Sequence, residues 1–313
     1  MQATTEAQLP LTAKIWRGLF WRSQKLNNLT GLENALRIVI LLLFGAYFVM
    51  PLVWLALAPS RQWQELYDLS QSPLTIGPLS NYVQAWNNIA GFGAGLLAQW
   101  MINSIWYTFA SVALSVSVSI LAGYVLATMQ FRGRQLIMWL TLITMILPSS
   151  AMVLPLFLEM NLLHLVNNPW SVILPAAFAP FSVYLSYVYY SVTLPKDLLA
   201  AGKVDGCSEW QLFWYVGLPL GRTMIATLAF LTFNGAWNNY FLPFVMLNHK
   251  ETYNLPVGIA QLMSATGTRT SDFVINEPEH ALSALVMVIP VMIIFLVAQK
   301  YIVQGLAAGA VKE

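Results

Sequence analysis

From Leu69 to Phe131 the chain carries no Asp, Glu, Lys or Arg. A water-facing surface draws on roughly 25% charged residues, so a run of this length has no material for one. The whole chain follows suit: of 313 residues, 58% are hydrophobic and 9% charged. The mean hydropathy is +0.63. These values exclude a disordered chain, a nucleic-acid binder with a basic face, and almost any water-soluble enzyme. An integral membrane protein remains.

A spanning helix needs about 20 apolar residues with few or no charges. Windows of that kind occur at 38–60, 100–129, 135–158, 169–194, 223–247 and 281–299, which predicts an all-α, polytopic bundle of six transmembrane helices. The first part of the charge-free run (Ser72, Pro73, Gly77, Pro78, Asn81, Asn87, Asn88) is too polar and broken to face lipid. Prolines inside the spans are tolerable where neighbouring helices satisfy the freed backbone groups.

Lys and Arg set the orientation. Lys14, Arg17, Arg22, Lys25 and Arg37 precede the first span, Arg132 and Arg134 lie between the second and third, and Lys196, Lys203 and Arg222 between the fourth and fifth. Lys300 and Lys312 follow the last. The opposite face holds only Arg61, Lys250 and Arg269. Both termini are expected in the cytoplasm. Residues 1–35 do not read as a signal peptide. Their basic residues interleave with Ile15, Trp16, Leu19, Phe20 and Trp21. Either an interfacial amphipathic helix or a basic tail fits that pattern.

No phosphate loop, metalloprotease motif or nucleophile elbow is present. His164, His249 and His280 are too scattered for a metal site, and the single cysteine, Cys207, reads as inert. The spans contain no acidic relay of the kind proton-driven carriers use. A stand-alone secondary carrier stays open as the alternative class.

The cytoplasmic loop at 194–220 reads LPKDLLAAGKVDGCSEWQLFWYVGLPL. Pro195 suits the start of a short helix running to about Val204. Gly206 permits a left-handed turn. Ser208 and Gln211 form a capping box for a second helix whose apolar side holds Trp210, Phe213 and Trp214. Pro219 marks a kink before the next span. Such a helix-turn-helix either docks in another protein's groove or packs on its own bundle.

This loop resembles the EAA loop of permease subunits of ABC importers, E-A-A-x-x-x-G-x(9)-I-x-L-P. Ala200, Ala201 and Gly202 stand at the E-A-A positions, Gly206 at the glycine, and Val216, Leu218 and Pro219 at I-x-L-P. Asp205 precedes the glycine as in the sugar-importer branch. Phe233 to Pro243, FNGAWNNYFLP, is similar to the branch's F-x-x-x-W-N-[ED]-F-x-x-P. Tyr253 to Gly258 and the tail KYIVQGLAAGAVK resemble the smaller permease of maltose-type importers. The departures are Ala200 for the glutamate, Gly202 for the last alanine, and Asn239 for the acidic residue after W-N.

The resemblance implies an importer transmembrane domain over residues 36–313, a second permease subunit completing the path, two ATPase subunits, and an external solute-binding protein. ATP and Mg would sit on the ATPases, with no cofactor on this chain. The location implied is a bacterial inner membrane, and the solute a carbohydrate.

Sugars are held by aromatic faces and by amides or hydroxyls. Asn234, Trp237, Asn238, Asn239 and Tyr240 offer both in the fifth span, with Asn234 and Asn238 on one helix face. Lining a path and hydrogen bonding between helices both fit. Tyr184, Tyr187, Tyr189 and Tyr190 read as an interfacial aromatic belt. The outer loops, about 59–99 and 248–280, suit either a delivering binding protein or an acidic cap with Glu251, Asp272, Glu277 and Glu279.

Overall fold

The computed structural model describes residues 31–68, 70, 72–264 and 276–310, all-α with no strand among the described residues. The chain divides into two units, residues 1–56 with 313, and residues 57–312.

The first unit holds α1, Gly31–Leu57, 27 residues long. At about 1.5 Å per residue it extends roughly 40 Å, more than the ~30 Å of bilayer hydrocarbon. It begins ahead of Arg37, inside the segment assigned from sequence to the N-terminal region. The interleaved basic stretch at 14–25 lies outside the described residues.

The second unit is organised by α3, Leu96–Thr128. Its buried face carries Ser104, Thr108, Ser111, Ser115 and Ser119, spaced three or four apart. Lipid gives helices no hydrophobic reason to associate, so close approach along small residues takes over. Ser115 and Thr232 share a 3.4 Å hydroxyl contact across that seam. Ile102, Ile105, Trp106 and Phe109 cover the outward face.

Around α3 stand α2 (Leu79–Gly91), α4 (Arg134–Ile146), α5 (Ser149–Leu162), α6 (Trp170–Ala177) and α7 (Pro180–Thr193). After α7 come α8 (Lys196–Val204), α9 (Glu209–Leu212), α10 (Arg222–Trp237), α11 (Phe241–Met246), α12 (Leu255–Ser264) and α13 (Glu277–Ala310). α3 packs against α6, α7, α10 and α12, while α13 packs on α10 and α2. The polar half of the charge-free run holds no helix long enough to span among the described residues. It forms α2, which buries Ala85 and Ile89 on one side.

Among the described residues four helices are long and apolar enough to span, namely α1, α3, the α6–α7 pair taken as Trp170–Thr193, and α13, and the number reaches the expected six if each of two bent pairs, α4 with α5 and Glu209–Leu220 with α10, is one span. The expectation of single helices at 135–158 and 223–247 needs correction. α4 and α5 meet at 112°. Leu147 and Pro148 are both extended at that corner, ψ 129° each; for Leu147 the cause is the proline that follows, which steers the residue before it out of the helical region. α10 stops at Trp237 and the helix resumes only at Phe241.

Candidate coupling loop and translocation face

The loop after α7 closes as local chemistry dictates. Asp197 in the first turn of α8 and Lys203 in its last both complement the helix dipole. At its end the Cys207 N–H donates to the Gly202 carbonyl at 2.9 Å and the Gly206 N–H to the Lys203 carbonyl at 3.1 Å. This is a Schellman motif, which needs a left-handed residue after the cap. Gly206 supplies it with φ +83°. The chain then re-enters a helix through the Ser208–Gln211 capping box. The Gln211 N–H donates to Ser208 Oγ at 3.3 Å, and the Ser208 N–H to Gln211 Oε1 at 2.8 Å. Lys203 and Glu209 form an ion pair over the corner.

Gly202, the departure at the third E-A-A position, has a packing reason. A β-carbon there would stand 2.5 Å from a methyl of the buried Leu212. The two short helices press together at that point. Among what they turn outward are the apolar side chains of Leu198, Val204, Trp210, Trp214 and Tyr215, Val204 to 87%, beside the charged Lys196, Asp197, Lys203 and Glu209. Ala200 and Ala201 are exposed beside them, as are Asp205 and Pro219. Phe213 alone of the aromatic trio turns inward, against Tyr124 at 5.1 Å.

The bend expected at Pro219 lies two residues later. Glu209–Leu220 meets Arg222–Trp237 at 74°. Before it, Phe213–Gly217 winds as a π-helix. Tyr190 Oη donates to the Gly217 carbonyl at 3.1 Å and Tyr189 Oη to the Leu220 carbonyl at 2.8 Å. Both rings are buried, so the reading of these two as an interfacial belt is corrected. They hold the loop's root to α7. A run of tyrosines resembles a belt in sequence, and only the partner carbonyls, some thirty residues away, reveal the other role.

The second region is the gap between α10 and α11. Asn234 and Asn238 share a face as expected, with Asn238 Nδ2 donating to the Asn234 carbonyl at 2.9 Å and to its side-chain oxygen at 3.1 Å. Both are exposed, as are Tyr240, Phe241 and Phe244. Tyr240 stacks on Phe244 at 5.3 Å. Trp237, expected beside the path, is instead buried. Its ring stacks on Phe233 and its Nε1 donates to the Met287 carbonyl of α13 at 3.0 Å. Asn239 is half-buried, and its carbonyl accepts from Asn254 Nδ2 at 2.8 Å.

Sequence reasoning missed Asn254, although it lies in the matched Tyr253–Gly258 motif. It is buried, and its Oδ1 also accepts from the Val257 N–H at 3.4 Å. The segment before it is wired to the first turns of α3. Trp100 Nε1 donates to the Lys250 carbonyl at 2.7 Å, Asn103 Nδ2 to those of Glu251 and Tyr253 at 2.8 and 2.9 Å, and Tyr107 Oη to that of Thr252 at 2.8 Å.

The acidic residues beyond are partnered too. Tyr67 Oη donates to Glu277 Oε1 at 2.8 Å, and Asn88 Nδ2 to Glu279 Oε1 at 2.7 Å. The Tyr67 phenol is raised above its ordinary pKa, first by the bond it donates to Glu277. Asp272 and Arg269 lie outside the described residues. No group of His, Cys, Asp and Glu suited to a metal occurs among the described residues.

Known proteins share this architecture. An arabinooligosaccharides transport system permease protein, AraQ of Halalkalibacterium halodurans, is 36% identical over 269 residues, covering 84% of this chain and 91% of that protein. The diacetylchitobiose uptake system permease protein NgcG of Streptomyces coelicolor is 26% identical over 86% of each. A bacterial ABC transporter involved in import of the acidic polysaccharide alginate matches with a TM-score of 0.73 at 22% identity, over 86% of this chain and 96% of that one. At that identity the likeness is one of fold. Residues 115–308 match the family described as binding-protein-dependent transport system inner membrane component. The chain belongs to that family and is a multi-pass membrane permease of an ABC transporter, not an enzyme or a stand-alone carrier.

Proposed function

We propose that this permease imports a carbohydrate, working with a second permease subunit, two ATPase subunits that hold ATP and Mg, and an external solute-binding protein. The 194–220 loop seats in an ATPase groove, so that it and both chain termini face the cytoplasm. The observation that carries the reading is the loop itself, a corner held rigid by a Schellman motif and a capping box with its apolar side chains turned outward. A groove of complementary shape would bury that surface. The lysines and arginines of the loop and of the α3–α4 corner lie at the same end, which suits the cytoplasm.

The broken helix between Trp237 and Phe241 supports the path. Unwound backbone at membrane depth is tolerated where it is buried in protein or lines a watery cavity. Asn234, Asn238 and Tyr240 present amides and a ring there, groups suited to a sugar. Asn239 contributes through its backbone, and Trp237 by pinning α10 to α13. Two of the relatives are named for oligosaccharide transport, which favours a carbohydrate over an ion.

Extraction in mild detergent tests the partnership. An ATPase and a second permease should elute with this chain in fixed ratio, and elution of the chain alone would refute the reading.

A further inference from the structure

At the end of the bundle opposite the coupling loop, α2, the one-turn helix Trp63–Leu66 and the start of α13 line a half-open cleft of about 300 Å³. That is the lower end of the range for small-molecule sites. Its position follows from α3: Tyr124 near one end meets the coupling loop, whereas Leu97 and Trp100 near the other pack with Ala85 and Ile89 of α2.

The geometry points to a docking subsite in this cavity for one ring of a neutral sugar, which would hold the solute at the mouth of the pathway. The inference rests on the carbohydrate reading above and adds a second place on the chain where the solute is touched. Arg61 and Glu279 line the cavity and are both nearly fully buried, 3% and 5% exposed. They fix its walls. Arg61 donates to the carbonyls of Glu65 and Ser72, and Glu279 accepts from Asn88 Nδ2 at 2.7 Å and from the Asn276 N–H at 3.0 Å. A carboxylate offers about four acceptor positions, so Glu279 retains capacity for sugar hydroxyls.

Gln64 and Gln84 also line the cavity, both exposed, and neither side-chain amide makes a hydrogen bond among the described residues. Each amide can donate to one hydroxyl and accept from its neighbour, which is the pattern vicinal diols require. Trp63 is half-exposed at the rim and offers a flat face for the C–H side of a ring. One cation and one anion balance, so the cavity favours a neutral ring over a phosphate or a uronate.

The test uses the complete complex in lipid nanodiscs, with cells expressing it for uptake. Arabinotriose, galactobiose, lactose and diacetylchitobiose are screened for uptake, and the sugar taken up becomes the probe. Saturation-transfer NMR then measures its direct binding to the complex without the binding protein. Direct binding is expected in the wild type. In a Gln64→Ala, Gln84→Ala double variant it should weaken about tenfold, the scale of two lost neutral hydrogen bonds. Trp63→Ala should weaken it as much, and both variants should keep the wild-type melting temperature.

A transported sugar with no direct binding, or with binding unchanged in both variants, overturns the subsite and leaves the carbohydrate reading standing. Unchanged sugar binding with weakened capture of the binding protein overturns it as well, by giving the cavity to a protein side chain. Uptake of none of the four sugars refutes the carbohydrate reading, and the subsite falls with it.

Discussion

The coupling loop and the broken fifth span are both interruptions of helix, and they are held in opposite ways. The loop is built from contacts three to five residues apart: Gly202 with Cys207, Lys203 with Gly206, Ser208 with Gln211. The break at Trp237–Tyr240 is held from far along the chain, by Met287 through the indole and by Asn254 through an amide. A locally held corner keeps its shape wherever it is carried, which suits a part that must move against another protein. A break held by distant helices changes shape when they shift, which suits a pathway that must open and close.

The largest test of that contrast is Trp237→Ala. A fully buried tryptophan cut to alanine costs about 3–5 kcal/mol, and here an indole hydrogen bond to α13 is lost as well. The purified chain should melt far earlier and assemble poorly in fluorescence-detected size exclusion. Normal melting would mean that the break is not held from α13.

Gly206→Val comes next. A β-branched residue at φ +83° costs on the order of 1–3 kcal/mol. The strain is local, so the spans should still insert and the loss should appear as absent solute-stimulated ATP hydrolysis. Gly206→Asn, which tolerates the left-handed region, should restore most of it. Equal failure of both variants would show that the space around the turn, rather than its backbone, sets the effect.

Tyr190→Phe separates the loop from its root. Removing the hydroxyl leaves the Gly217 carbonyl without that donor, at about 1 kcal/mol. Stimulated hydrolysis should fall further than melting does, because the shape of the loop survives while its anchorage to α7 loosens. A fall in melting alone would make Tyr190 ordinary packing.

These differences explain what could be read from the sequence. The helix at 196–204, the left-handed Gly206 and the Ser208–Gln211 box all follow from residue types a few positions apart, and each is present. Spans without interruption, such as α3, were equally legible from charge and length. Interruptions inside apolar runs were not. Neither Leu147–Pro148 nor Trp237–Tyr240 carries a charge, so a window screened on charge and length passes over them. The roles of Tyr189, Tyr190, Trp237 and Asn254 depend on carbonyls 15 to 50 residues away. No spacing rule reaches that far.

Asn238→Leu is expected to change stability least. Among the described residues its amide bonds only to Asn234, one turn back on its own helix, and the side chain is exposed. Exposed substitutions of this kind usually stay within about 0.5 kcal/mol, so melting and co-purification with the ATPase should match the wild type. Uptake should nonetheless fall sharply, since the change removes a donor and an acceptor from the proposed path and replaces them with an apolar side chain. The comparison with Trp237→Ala is then direct. Two adjacent residues in one W-N motif should separate completely, the tryptophan reporting on how the break is held and the asparagine on what passes it. Poor assembly of Asn238→Leu would show that its face packs against the partner permease, and unaltered uptake would remove the Asn234–Asn238 face from the path.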